Sequence, residues 1–134
     1  MPMKAVCEWI KGFRSSVHNG RHHSVVVDLP QNLGGEDLGP TALELAVMAL
    51  AGCINTIMML VAKKMKVEIT SLRTEVEAEK GEQTIESCKV KVYAKSPAGK
   101  EAVEKVLKRT MEACPVGILF KNAGVKIDIE LVYE

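Results

Sequence analysis

The residues in this 134-residue sequence whose chemistry most needs an account are its four cysteines, Cys7, Cys53, Cys88 and Cys114. They are widely separated and form no C-x-x-C pair, a pattern that argues against zinc. Two of them sit in unusual settings. Cys53 lies inside the apolar run ALAGCINTIMML, beside Gly52, which leaves space for close approach, and just before the hydrogen-bonding Asn55 and Thr56. Cys114 closes an apolar series, Val103, Leu107 and Met111, immediately before Pro115-Val116-Gly117. Two buried cysteines on facing helices make a redox pair, one attacking and one resolving. The attacking sulfur must be a thiolate, which burial opposes, so a cation is required nearby. Arg14 and Arg21, or a lysine at a helix end, are the candidates. The competing reading treats both as small core side chains, since free cysteine is among the most buried residue types. That reading applies most directly to Cys7, which shares a face with Met3, Ala5 and Trp9, and to Cys88, which shares a face with Val90 and Val92.

The elements that must position these thiols follow from periodicity and turn chemistry. Alternation near the N-terminus predicts a first strand, and Asn19-Gly20 between β-capable runs predicts a hairpin. Residues 30–40, PQNLGGEDLGP, are a Gly- and Pro-rich loop. GGEDLG has neither the lysine nor the glycine spacing of a phosphate loop. Thr41 and Glu44 have the S/T-x-x-E spacing of a capping box, so a helix is expected from about Thr41 to Met65. Residues 67–79 and 83–95 predict a second hairpin, turning at Lys80-Gly81-Glu82. Ser96-Pro97 suggests an N-cap and first-turn proline for a helix over 97–114, with Glu104 and Lys108 as an i,i+4 pair. Pro115 ends or bends it. Residues 125–133 alternate strictly, placing Val125, Ile127, Ile129, Leu131 and Tyr133 on one face of a last strand. The order β-β-β-α-β-β-α-β describes a single α+β domain over 1–134, with antiparallel hairpins packed on helices.

Leu45–Ala62 is an uncharged run of a length that also suits a membrane span. The amphipathic strands around it need an apolar partner, which favours a core helix. One small domain can hardly cover such a helix on every side, so a second copy of the chain is the simplest further cover. The composition is 47% hydrophobic and 26% charged, with net charge +1 and only 4% aromatic residues, so no nucleic-acid partner is expected. MPMKAVCEWIKG lacks an apolar h-region and cleavage site, and a cytoplasmic location is expected. His18, His22 and His23 flank the hairpin turn without local Cys, Asp or Glu at ligand spacing, and are expected to be solvated.

GPTALELAVMALAGCINT, the later ACPVG and the strand ending in VVVDLP together resemble the OsmC/Ohr family, in particular its shorter OsmC-like redox branch, from about Lys11 to Tyr133. The resemblance implies an OsmC-like fold with a long buried central helix, in an intertwined homodimer with two active sites at the dimer interface. It also implies a thiol peroxidase acting on organic hydroperoxides, without metal, haem or other cofactor. Cys53 would attack the peroxide, and its sulfenic acid would condense with Cys114 to a disulfide. A dithiol reductant, such as a lipoyl-bearing protein, would restore the thiols. In the family an arginine holds the thiolate and a glutamate orients the arginine. Arg14 falls nearest the arginine position, with Arg21 as the alternative. The peroxidase branches place the glutamate ten positions before the cysteine, where Leu43 stands here. Glu44 is nine before, about half a turn round the helix from Cys53, and serves equally as the capping-box partner of Thr41. Besides the enzyme, the resemblance admits a non-catalytic redox sensor or a protein binding a small apolar ligand.

Overall fold

The computed structural model describes residues 2–134. The chain forms two compact units, Met1–Ala46 and Val47–Glu134. The first holds a three-stranded antiparallel sheet of β1 (Val6–Lys11), β2 (Arg14–His18) and β3 (Ser24–Val27), in that order. Gly12, with φ +58°, turns β1 into β2. The β2–β3 turn is longer than a two-residue Asn-Gly hairpin: the Asn19 side-chain oxygen accepts from the Arg21 N–H (2.9 Å) and the His23 N–H (3.4 Å).

Cys7 is a correction to the sequence reading. It is exposed, as are Met3 and Trp9 from the same alternating set. β1 is an edge strand in a unit of under fifty residues, which has too little apolar mass to cover both faces of its sheet.

The helix α1 (Ala42–Met65) is unbroken and begins one residue from the expected start. It is long and apolar enough to cross a membrane by length and composition. Only one stripe of it, Leu50, Ile54, Met58 and Ala62, is buried. The fully buried central helix expected from the sequence is therefore one-sided in the single chain, with Met48, Met59 and Leu60 about half exposed. The physical reason is the one already visible in the sequence: a unit of this size covers one side of a helix that is apolar on several.

The second unit contains β4 (Ser71–Lys80), β5 (Ile85–Lys95) and β6 (Lys126–Tyr133), with β5 central. β4 and β5 form the expected antiparallel hairpin. β6 pairs with β5 in parallel, a direction that the sequence reading left open. Rows of apolar residues cross the three strands in register, such as Val76–Val90–Ile129 and Ala78–Cys88–Ile127. The opposite face is charged, with Glu77–Lys89–Asp128 and Glu75–Lys91–Glu130 in line, and the Arg73 guanidinium 5.2 Å above the Tyr93 ring. The alternation that made these strands legible is thus one of core against solvent. Cys88 is buried on the apolar face as expected, and burial pushes its thiol up.

Between β5 and β6 run α2 (Lys100–Ala113) and α3 (Pro115–Asn122). The single helix expected at 97–114 differs at both ends. It starts at Lys100, after Gly99 at φ +94°, because the Ser96 hydroxyl is engaged elsewhere: it donates to the Glu68 carbonyl and accepts from the Ala98 N–H. At the other end Pro115 opens a new helix. The expected stripe, Val103, Leu107, Met111 and Cys114, is buried. The exposed ion pair on α2 is Lys100–Glu104 (3.9 Å), one turn before the expected Glu104–Lys108.

Candidate active site

The second unit brings Cys53 and Cys114 together, with their sulfurs 3.1 Å apart and both thiols free. Cys53 is carried on the middle of α1. The Thr74 hydroxyl of β4 donates to the Asn55 side-chain oxygen at 2.6 Å, pinning this turn of α1 to the sheet. The Thr56 hydroxyl bonds back to the Gly52 carbonyl. Gly52 is itself exposed, and a methyl group at its Cα would meet no atom within 4 Å. Its expected role in making room for a close approach is not used within this chain.

Cys114 is fully buried at the junction of α2 and α3. Its backbone is extended, its N–H closes α2 on the Thr110 carbonyl, and its sulfur caps α3 by accepting from the Gly117 N–H at 3.4 Å. A helix start with proline at the first position leaves few orphan donors, and this one turns a donor toward sulfur. Burial first, and then the bond it gives to Cys53, push the Cys114 thiol up to about 11 against the smaller opposing pull of the Gly117 N–H. At neutral pH Cys114 is therefore the S–H donor of the pair and the Cys53 sulfur the acceptor.

The two other expected site residues, both in the first unit, are not paired with each other. Thr41 and Glu44 form a reciprocal capping box: the Thr41 N–H donates to the Glu44 carboxylate (2.9 Å) and the Glu44 N–H to the Thr41 hydroxyl (3.0 Å). Arg14, at the start of β2, instead faces Glu36, with a separation of 3.6 Å. Arg21 is exposed in the β2–β3 turn.

Two acidic residues near Arg14 escaped the sequence reading. Asp28 follows β3, and the β2–β3 register, which ends at Ser15–Val27, continues to set Arg14 opposite Asp28. The Asp28 carboxylate is buried and accepts three backbone N–H groups, from Leu29 (2.8 Å), Leu38 (3.2 Å) and Glu36 (3.3 Å). Burial pushes its carboxyl up, but the three N–H donors and the Arg14 charge outweigh that and hold it below its ordinary value. Glu36 lies in the Gly-rich loop that Asp28 gathers. The signal available in the sequence was an Asp at the exit of a strand, leading into a glycine-containing loop, where its side chain can collect backbone donors.

The histidines stay with their turn. The His18 ring accepts from the Gly20 N–H and lies 3.7 Å from Glu8, and His23 bonds Asn19. No group of three or more metal-ligating side chains occurs among the described residues.

Comparison with known proteins supports the fold on which this site rests. An OsmC-like protein from Mycoplasma pneumoniae superposes with a TM-score of 0.87 at 13% identity, covering 99% of this chain and 97% of that one. An organic hydroperoxide resistance protein OsmC, described as a predicted redox protein, from Legionella pneumophila gives 0.72 at 18% identity, covering 98% and 96%. The organic hydroperoxide resistance protein OhrB of Bacillus subtilis gives 0.67 at 17% identity, covering 98% of each chain. No curated protein matches the sequence. The family model described as OsmC-like protein matches residues 34–130, a span that includes α1, Cys53, Cys114 and all but the end of the second unit's sheet, and the chain belongs to that family.

Proposed function

We propose that this protein is a cysteine-based peroxidase for organic hydroperoxides, with Cys53 as the attacking and Cys114 as the resolving thiol. The observation that carries the reading is the 3.1 Å contact between two free sulfurs on separate elements. The Cys53 thiolate attacks one peroxide oxygen, the O–O bond breaks, and the alkoxide leaves and takes up a proton as the alcohol. Cys53 is then a sulfenic acid. Cys114 attacks its sulfur, the Cys114 proton leaves with the hydroxyl as water, and a disulfide remains. The sulfurs need to close by only about 1 Å to reach bonding distance. Two electrons and two protons from a dithiol, of which a lipoyl-bearing protein is the fitting class, restore both thiols. The resemblance makes Arg14, with Arg21 as the alternative, the candidate cation for the thiolate.

The apolar neighbours of Cys53 on α1, including Leu50, Ile54 and Ile57, favour an organic over an inorganic peroxide. The half-exposed Met48, Met59 and Leu60 on the same helix support a homodimer as the working form. Consumption of cumene hydroperoxide with a lipoyl dithiol tests the reading. Turnover is expected in the wild type and only background in Cys53→Ser, while Cys114→Ser should give one turnover and stop. Equal rates for wild type and Cys53→Ser would refute an enzyme, and a disulfide formed by peroxide without turnover would point to a sensor. Equal rates with hydrogen peroxide would remove the apolar-pocket account.

A further inference from the structure

The spacing of Cys53 and Cys114 suits one class of ligand as well as it suits a disulfide. The two sulfurs are 3.1 Å apart, both thiols are free, and both sit on elements that leave them little freedom. Cys53 belongs to the turn of α1 that Asn55 and Thr74 tie to β4. Cys114 is held by its own N–H on the Thr110 carbonyl and by the Gly117 N–H on its sulfur. A Cβ at Gly117 would already stand 3.5 Å from that sulfur and from the Met111 methyl, which leaves the sulfur little room on that side. A ligand that bridges the pair must accept two sulfurs near their present separation. It must also need no third protein donor, because no group of three or more metal-ligating side chains occurs among the described residues. Zinc fails both conditions: tetrahedral Zn–S bonds of about 2.3 Å hold two sulfurs about 3.8 Å apart, and two further ligands are required. Two-coordinate copper(I) and mercury(II) place their sulfurs on opposite sides of the metal. Trivalent arsenic carrying one organic group differs from all three. It is pyramidal, with bond angles near a right angle, and it takes two thiols and holds their sulfurs close to contact. Its organic group has apolar neighbours here in Ala49 and Ile57, one turn before and one turn after Cys53 on α1.

We propose that Cys53 and Cys114 form a chelating site for monosubstituted arsenic(III) compounds of the type R–As(OH)2. Each As–O bond is replaced by an As–S bond, the two thiol protons leave with the two hydroxyls as water, and arsenic and sulfur keep their oxidation states. The product is a ring closed through the protein. A monothiol that opens one As–S bond competes with the tethered thiol beside it, so the ring re-closes. Occupancy withdraws both thiols from any redox cycle. The inference needs the sulfur contact alone and stands apart from the peroxidase reading.

The experiment adds phenylarsine oxide, which hydrates to this form, to the reduced full chain, washes with excess 2-mercaptoethanol, and reads the intact mass under native conditions. One phenylarsenic per chain is expected, released by 2,3-dimercaptopropanol. Cys53→Ser and Cys114→Ser should each retain none. A second readout uses the unaltered chain and is independent of how the variants fold: iodoacetamide should label the exposed Cys7 and spare Cys53, and dimercaptopropanol should restore labelling of Cys53. No arsenic retained by the wild type, retention undiminished in Cys114→Ser, or Cys53 labelled as fast with the arsenical as without it would overturn the proposal. Arsenic retained by a chain that consumes no hydroperoxide would refute the peroxidase reading and leave this site standing, and hydroperoxide turnover without arsenic retention would do the reverse.

Discussion

Cys114 has three relationships at once: its N–H ends one helix, its sulfur begins the next, and its S–H points at Cys53. A thiol raised to about 11 is a donor at every physiological pH, so on the proposed reaction Cys114 has a second role, as hydrogen-bond donor to the attacking Cys53 sulfur before it resolves a sulfenic acid. Cys114→Ala should therefore slow Cys53 alkylation at pH 7 by about 10-fold or more, the scale of a lost hydrogen bond to a charged group, while Cys114→Ser keeps most of the rate. Asp28 gives a prediction of a different kind. Its carboxyl is depressed below the ordinary 3.8, so the folded state prefers the ionised form. The stability this contributes is fully present above pH 3.8 and is lost as the pH falls through the lower folded value. Urea midpoints at pH 6 and pH 3 should differ less in Asp28→Asn than in the wild type, and equal differences would show that the loop is held by other means. At this scale the sequence disclosed the cysteines, because their type and setting are visible in one dimension. Glu36 and Asp28 stayed hidden, because their value comes from the β2–β3 register and a loop closing on one carboxylate, neither of which has a linear signature.

At the level of elements, α1 was legible almost to the residue, since a capping box and a breaker-free run are local signals. Its energetics divide along its length. Thr41→Ala should cost about 0.5–2 kcal/mol through the lost cap. Met58→Ala, deep in the buried stripe, should cost about 2–5 kcal/mol, and chemical denaturation would rank the two. The second helix was legible in its buried face and illegible at its ends. Val103, Leu107 and Met111 recur at helical spacing whatever their surroundings, whereas the start was displaced by a tertiary demand, the Ser96 hydroxyl reaching Glu68. The same serine receives the Tyr133 hydroxyl on its carbonyl at 2.6 Å, so a short loop segment joins the run-in to β4 with the end of β6. Local propensity lost there to contacts that no window of sequence contains.

For the whole molecule, the strands of the second sheet and their faces could be read from alternation, but the face of β1 and the parallel pairing of β6 could not. Period two states which side of a strand is apolar and is silent on direction. The exposed apolar side of α1 belongs to this scale as well. If a second copy covers it, Met48→Glu with Met59→Glu should convert a dimer into monomers by sedimentation, and dimers persisting in that variant would place the contact elsewhere.

The parallel strand has a consequence for how the chain acquires its chemistry. β5 and β6 are joined through α2 and α3, and Cys114 lies at the junction of those two helices. Residues as distant as Cys88 and Ile127 must meet before the sheet is complete, which is slow compared with closing a hairpin. The sulfur pair and the sheet are thus finished in one event. In an unfolded chain the two thiols are apart, and the 3.1 Å contact on which the proposed cycle depends exists only in the folded unit. On the proposed reaction, oxidant arriving before that contact forms would leave a Cys53 sulfenic acid with no resolving thiol at hand, open to further oxidation.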